Sequence, residues 1–230
     1  MRLKDILSIE FLLILIVPVV YIYSWQSFAL STLLSLMFVF IVLFFYHTFL
    51  DFLYFFLGLL LGSIGEIACV YFGAWSYTKP HYLGIPLWLS IFWGYGFLIM
   101  RRLEFKILST EKKHNNDKSI DKQYFFLLII YCLLIFIPSL LFRYNTIVFI
   151  LLLCINISLL YKINSEKVFF GIIFGLLGPI MEIICIHMGI WKYANPDFLG
   201  IPFWLILLYS GFAIFIKRLT KKFRNLLRLT

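Results

Sequence analysis

The chain is written in long apolar runs separated by short polar breaks. Eight such runs lie at roughly 7–23, 27–46, 52–72, 84–100, 124–142, 145–161, 167–188 and 200–216. Each is continuous rather than alternating. About 17 residues or more are enough to cross ~30 Å of hydrocarbon as a helix. A backbone facing lipid must satisfy its own hydrogen bonds, so these runs predict helices. Barrel strands would show short alternating segments instead. The expected fold class is therefore all-α: a polytopic membrane protein of about eight transmembrane helices. The one long hydrophilic stretch, 104–123, divides the chain into 1–103 and 124–219, with a basic tail at 220–230. Four spans in each half give both halves the same orientation. The expected architecture is two parallel four-helix repeats related by an axis along the membrane normal.

The halves also share wording. Residues 62–103 and 178–219 align without a gap at an offset of 116, with 17 of 42 positions identical. Apolar identities mean little in such a chain, so the rare residue types decide. Glu66 matches Glu182, Cys69 matches Cys185, Gly73 matches Gly189 and Trp75 matches Trp191. Tyr77 matches Tyr193, Pro80 matches Pro196, Gly84-Ile85-Pro86 matches Gly200-Ile201-Pro202, and Trp88 matches Trp204. The unit is duplicated.

Each copy holds one carboxylate inside an apolar run. Gly58, Gly62, Glu66, Cys69 and Gly73 recur at helical spacing, as do Gly171, Gly175, Gly178, Glu182, Cys185 and Gly189. Small residues on such a stripe admit a close neighbouring helix. Each Glu lies about seven residues, ~10 Å, below the external end of its span. A bare charge there is costly. Two readings follow: a neutral Glu joining helices by a hydrogen bond, or a site residue. The loop above favours the second. Gly73 and Gly189 suit helix C-terminal caps, and Pro86 and Pro202 suit the first turn of the next helix. Between them lie Trp75, Tyr77, Trp191 and Tyr193. These rings fit an aromatic belt at the headgroups. They also fit the mouth of a site, since aromatic faces stabilise cations. Trp88, Trp204 and Asp197 complete the candidate substrate-binding set.

Two positions break the symmetry. Tyr71 becomes His187, and His81 becomes Asp197. His187 follows Glu182 by five residues, and histidine is the residue type that most readily exchanges protons under physiological conditions, so it is a candidate to share a proton with that carboxylate. An interfacial His hydrogen-bonded to water is the alternative. A single His near each motif is too few for a metal site. Cys69, Cys132, Cys154 and Cys185 all fall within predicted spans, without ligand or disulfide spacing, and are read as small apolar groups.

Composition and charge agree with the pattern. The chain is 63% hydrophobic and 13% charged, more apolar surface than a soluble domain of this size can hide. Of 20 basic residues, 17 fall on the N-terminus, the 101–123 loop, the 162–167 loop and the C-terminal tail; only Lys79, Arg143 and Lys192 fall on the other side. The positive-inside rule puts both termini in the cytoplasm of an inner-membrane protein. The net charge of +9 then attracts anionic lipid rather than nucleic acid. The first run lacks a small-x-small cleavage site and is expected to remain as the first span.

The string Glu66-x6-Gly73-x-Trp75-x-Tyr77, followed by Gly84-Ile85-Pro86, resembles the membrane-embedded carotenoid biosynthesis family that includes bisanhydrobacterioruberin hydratases. That family shows an acidic residue, then Gly-x-Tyr-x-Tyr, then Gly-(Ile/Val)-Pro. It is similar in style to integral-membrane terpene and lycopene cyclases. The match reaches Glu66, Gly73, Tyr77, Gly84 and Pro86, and again Glu182, Gly189, Tyr193, Gly200 and Pro202. Trp75 and Trp191 stand where the family has Tyr.

The leading expectation is a cofactor-free, metal-free hydratase or cyclase acting on an isoprenoid- or carotenoid-like lipid. Protonated Glu66 or Glu182 would donate to a double bond. The other carboxylate and the Trp/Tyr wall would stabilise the cation. His187 is the third candidate catalytic residue. A proton-coupled transporter or flippase is the rival, using the Glu pair as a relay. A non-catalytic assembly or lipid-binding protein is the third reading. A homo-oligomer fits any of them.

Overall fold

The computed structural model describes residues 16–17, 19–45, 48–107, 120–160 and 165–227. Arg2, Lys4, the start of the first expected span, most of the 104–123 linker, Lys162 and Arg228 lie outside them. Eight helices and two short strands are described. α1 takes the helical residues within 16–24. It is followed by α2 (Phe28–Phe45), α3 (Phe49–Tyr71), β1 (Trp75–Tyr77), α4 (Leu87–Ile107), α5 (Ile120–Leu141), α6 (Asn145–Leu160), α7 (Ser165–His187), β2 (Trp191–Tyr193) and α8 (Leu205–Leu227). The order helix, helix, helix, strand, helix thus occurs twice. α3 and α7, like β1 and β2, begin and end at the same offset of 116 residues.

Among the described residues two helices are long and apolar enough to cross a membrane: Phe49–Tyr71 at mean hydropathy 2.0, and Val168–His187 at 2.3. Their apolar windows are only 22% and 28% buried. A core helix of a soluble domain would be mostly buried, so these surfaces are built to face lipid. Phe28–Ile41, Phe125–Leu141 and Asn145–Leu160 are shorter apolar helices. The expected spans 84–100 and 200–216 appear as helices displaced towards the C-terminus. α4 starts at Leu87 and runs past Arg101 and Arg102, while α8 starts at Leu205 and runs past Lys217 and Arg218. The cause lies in the loops, where Pro86 and Pro202 precede the helices and accept through their carbonyls from Leu89 and Leu205.

Local chemistry sets the other ends. Thr48 caps α3: its hydroxyl accepts from the Asp51 N–H at 3.3 Å, and the buried Asp51 carboxylate accepts the Thr48 N–H at 3.3 Å and the Thr48 hydroxyl. This is a capping box with Asp at its third position. Gly73 and Gly189 take φ of +84° and +73°. In each copy the glycine N–H returns to the carbonyl three residues back, Val70 or Ile186. The next N–H, from Ala74 or Ile190, reaches Cys69 or Cys185. The expected glycine caps are Schellman caps.

The chain forms two compact units. One comprises Met1–Ile67, Ser76–Ile99 and Ile184–Lys192; the other comprises Ala68–Trp75, Met100–Ile183 and Tyr193–Thr230. The division therefore departs from a simple cut at 104–123, because each Trp-x-Tyr segment contributes to both units. In the first unit, Gly58 and Gly62 of α3 meet α4. A β-carbon on Gly58 would lie 2.6 Å from the Trp93 carbonyl oxygen, and one on Gly62 would lie 2.3 Å from Trp93 Cγ. In the second, Gly171, Gly175 and Gly178 of α7 meet α8, and a β-carbon on Gly178 would lie 2.3 Å from the Tyr209 ring. The glycine stripes are thus close-approach surfaces, as their spacing predicts. α6 and α8 are joined in the second unit by Asn156, whose amide donates to the Leu207 carbonyl at 2.9 Å, and by Arg218, which donates to the Leu159 carbonyl at 2.6 Å.

Candidate functional site

Two ring donors reach each glutamate. In the first unit Glu66 Oε2 accepts the Tyr77 hydroxyl at 2.6 Å, and Oε1 accepts the Trp93 indole N–H at 3.0 Å. In the second, Glu182 Oε2 accepts the Tyr193 hydroxyl at 3.1 Å, and Oε1 accepts the Tyr209 hydroxyl at 2.5 Å. The donors obey the same 116-residue offset as the acceptors. One donor comes from the short strand above the helix, the other from the helix that follows. The arrangement ties three consecutive elements to one carboxylate.

Glycine makes this possible. Gly62 and Gly178 sit one turn before the glutamates, and the Trp93 and Tyr209 side chains occupy the space a β-carbon would take there. A side chain there would push the ring, and its polar hydrogen, away from the carboxylate. Trp93 and Tyr209 are the residues that sequence reasoning missed. They are aligned but not identical, so an identity count passes over them. The usable signal was chemical: both are large rings carrying one polar hydrogen.

The strands complete the frame. Within the first unit Thr78 N–H donates to the Ile190 carbonyl, and within the second Ala194 N–H donates to the Ala74 carbonyl, both at 2.9 Å. These pairs place β1 and β2 antiparallel in a two-stranded sheet. Tyr77 meets Trp191 edge-on at 5.5 Å in the first unit, and Tyr193 meets Trp75 at 5.4 Å in the second. Each tyrosine that serves a glutamate is therefore braced by the tryptophan of the other copy's motif. Edge-to-face pairs of this kind contribute about 0.5–1.5 kcal/mol beyond area burial.

The remaining predicted residues separate by role. Trp88 is buried and stacks on Tyr21 at 4.8 Å. Trp204 is buried, and its indole N–H donates to Asn145 Oδ1 at 2.8 Å; the Asn145 amide in turn donates to the Asn195 carbonyl. Asp197 is exposed and accepts the Phe203 N–H at 3.0 Å, closing the turn before α8. His187 is exposed on the last turn of α7. Tyr193 and Tyr209 donate to Glu182. Cys69 and Cys185 are buried thiols, with Cys69 Sγ 3.0 Å from Ser139 Oγ in the second unit. Cys132 is half-buried and Cys154 exposed. Among the described residues no group of three His, Cys, Asp or Glu could hold a metal ion.

The loops before α4 and α8 carry backbone strain. Tyr82-Leu83-Gly84-Ile85 and Phe198-Leu199-Gly200-Ile201 are tight turns closed by paired backbone bonds between their first and last residues. Their central residues have φ of 48° and 83° in the first, and 49° and 82° in the second. Both values positive define a type I′ turn, which glycine and asparagine adopt readily and leucine only at a cost. Tyr82, Leu83, Phe198 and Leu199 are all exposed.

The first unit also holds a cavity of about 430 Å³ between α2, α3, α4 and this turn. Leu36, Leu59, Ile67 and Ile91 supply apolar walls, and Thr32, Ser35, Ser63 and Ser90 supply hydroxyls. Ile67, the neighbour of Glu66, faces it.

No protein-family model and no curated protein matches the sequence. The fold does match solved structures. A mycobacterial Insig homolog, MvINS from Mycobacterium vanbaalenii, superposes with a TM-score of 0.61 at 18% identity, over 74% of this chain and 92% of that one. A cross-linked MvINS trimer carrying a cysteine substitution gives 0.59 at 18% identity, over 75% and 94%. The likeness is one of fold. With the exposed apolar helices, it makes this chain a helical membrane protein.

Proposed function

We propose that this chain is a multi-pass membrane protein of two parallel four-span repeats that binds an apolar, lipid-like molecule without transforming it. The observation that carries this reading is the state of the two carboxylates. Both oxygens of each already accept a hydrogen bond from the protein's own rings. A general acid must bring a carboxyl oxygen to the reacting atom. Here the same oxygens join helix, strand and following helix. A plasma-membrane location with cytoplasmic termini belongs to this proposal and is supported by the 17 basic residues on one set of predicted loops. MvINS has been cross-linked as a trimer; a homo-oligomer of this chain is part of the proposal, to be tested by cross-linking in membranes.

The test replaces both acids while keeping their shape. The double variant Glu66→Gln/Glu182→Gln should co-purify with the same lipids as the wild type, and cells carrying either should have the same lipid profile by mass spectrometry. A lipid product that appears only with the acids intact would overturn the binding reading.

One observation favours an enzyme instead. Glu182 lies between two phenols, each of which can pass a proton. In this second reading Glu182 protonates an isoprenoid double bond, and Trp75, against Tyr193, faces the cation. Loss of product in Glu182→Gln alone is its signature.

A further inference from the structure

We infer that the ligand site is the cavity of the first unit, and that it selects an uncharged lipid bearing a hydroxyl or similar small hydrogen-bonding head. This rests on the lipid-binding reading above and adds to it the place and the chemistry. The cavity has the size of a small-molecule site and the usual composition of one: apolar walls with a few convergent polar groups. Apart from the Trp88 indole, the polar side chains among its described lining residues are hydroxyls. Ser63 Oγ donates to the Leu59 carbonyl oxygen at 2.5 Å, and lies 2.7 Å from Ser90 Oγ. The single Ser63 proton is committed to that carbonyl, so Ser90 Oγ retains lone pairs to accept a ligand hydroxyl. Ser35 Oγ donates to the Ser31 carbonyl and meets the Tyr21 hydroxyl at 2.9 Å. Among the described residues no Asp, Glu, Lys or Arg lines the cavity, so a charged head would be desolvated without a counter-charge from them.

The duplication supplies the independent argument. The three hydroxyl-bearing lining residues within the aligned segment, Ser63, Tyr82 and Ser90, correspond to Pro179, Phe198 and Ile206. Every one loses its hydroxyl in the second copy. The walls change too. Leu59 corresponds to Gly175, where a β-carbon would lie only 3.1 Å from the Ile206 carbonyl oxygen. The second unit closes its helices at the place where the first leaves a cleft. A purely structural cleft gives no reason for hydroxyls to collect in one copy alone. A ligand with an oxygen to recognise does.

Trp88 lines the cavity and gives an optical readout. The purified protein in detergent is titrated with a brominated long-chain fatty alcohol, and with the brominated alkane of the same length. Bromine within contact range quenches tryptophan fluorescence. The alcohol should quench saturably, and Trp88→Phe should remove that component. Ser90→Ile, which installs the side chain of the other copy and so suits the fold, should abolish it. Ser63→Ala/Ser90→Ala should weaken it by about tenfold, the loss of one to two net hydrogen bonds. The alkane should bind no better than that double variant. Saturable quenching unchanged in Ser90→Ile would overturn the assignment of the cavity. Equal quenching by alkane and alcohol, insensitive to the serines, would overturn the hydroxyl selectivity. Native mass spectrometry separates the layers. Lipid retained stoichiometrically by Ser90→Ile refutes this site while leaving the lipid-binding reading standing. A wild-type protein that retains no lipid and shows no saturable quenching refutes both.

Discussion

The two glutamates sit in the same frame and differ in one partner. Glu66 is held by Tyr77 and Trp93, Glu182 by Tyr193 and Tyr209. An indole N–H only donates, whereas a phenol donates and accepts. The first clamp therefore has a fixed polarity. The second can shift a proton along the series Tyr, Glu, Tyr. The frame itself is duplicated down to the glycine beneath the ring. Duplication preserved the packing and left the chemistry free to diverge, in the clamp of the second copy and in the hydroxyl-lined cleft of the first.

The comparison is broken most severely at the glycine shelf. Gly62→Leu and Gly178→Leu drive a side chain into the Trp93 or Tyr209 ring, where even a β-carbon would lie at 2.3 Å. Overpacking of this kind costs about 3 kcal/mol or more, and it also withdraws a donor from a carboxylate that is buried at Glu66 and half-buried at Glu182. Neither variant should yield folded protein by size-exclusion chromatography in detergent. If one folds and the other does not, the two clamps are not equivalent frames.

Removing the acceptor is the next largest step. Glu66→Leu and Glu182→Leu leave two ring donors without their partner, at about 1–3 kcal/mol for each donor that stays buried. Thermal unfolding should fall clearly in both. The Gln variants should lose only about 1 kcal/mol, the difference between charge-assisted and neutral hydrogen bonds. At Glu66 the indole dictates which way the amide lies, with its oxygen towards Trp93 and its NH₂ towards Tyr77. At Glu182 either orientation is satisfied. Glu66→Gln should therefore be the more destabilised of the pair, and the reverse order would mean that the donor difference is not felt.

Much of the frame was legible in the chain, and for identifiable reasons. Continuous apolar runs and helical glycine spacing are local signals, and the structure shows helices that meet along those glycines. Gly73 and Gly189 announced their caps because only glycine takes positive φ without strain. The offset of 116 located both carboxylates and both strand tyrosines. The partners of Glu66 and Glu182 across the helix pair were hidden, since Trp93 and Tyr209 share a chemical function rather than an identity. The pairing of β1 with β2 was hidden as well. It joins residues more than a hundred positions apart through backbone bonds, which side-chain patterns do not encode. Trp88 and Trp204 were legible as special positions, yet their surroundings divided them: Trp204 is anchored by Asn145, while Trp88 borders a cavity.

The finest test of equivalence is in the loops. Leu83 and Leu199 hold φ of 48° and 49° at corresponding places in two type I′ turns. A left-handed conformation costs an ordinary L-residue roughly 1–2 kcal/mol, and asparagine adopts it more readily. Both leucines are more than half exposed, at 59% and 58%, so little packing within the protein is lost on replacement. Leu83→Asn and Leu199→Asn should each raise stability by about 0.5 kcal/mol, read as a small upward shift in thermal unfolding in detergent. Because the two backbones match, the two gains should match. A gain at Leu199 with a loss at Leu83 would show that the first copy uses its leucine. Leu83 adjoins Tyr82, which borders the hydroxyl-lined cleft, and such a result would extend the asymmetry between the copies from the helices to the turn above them.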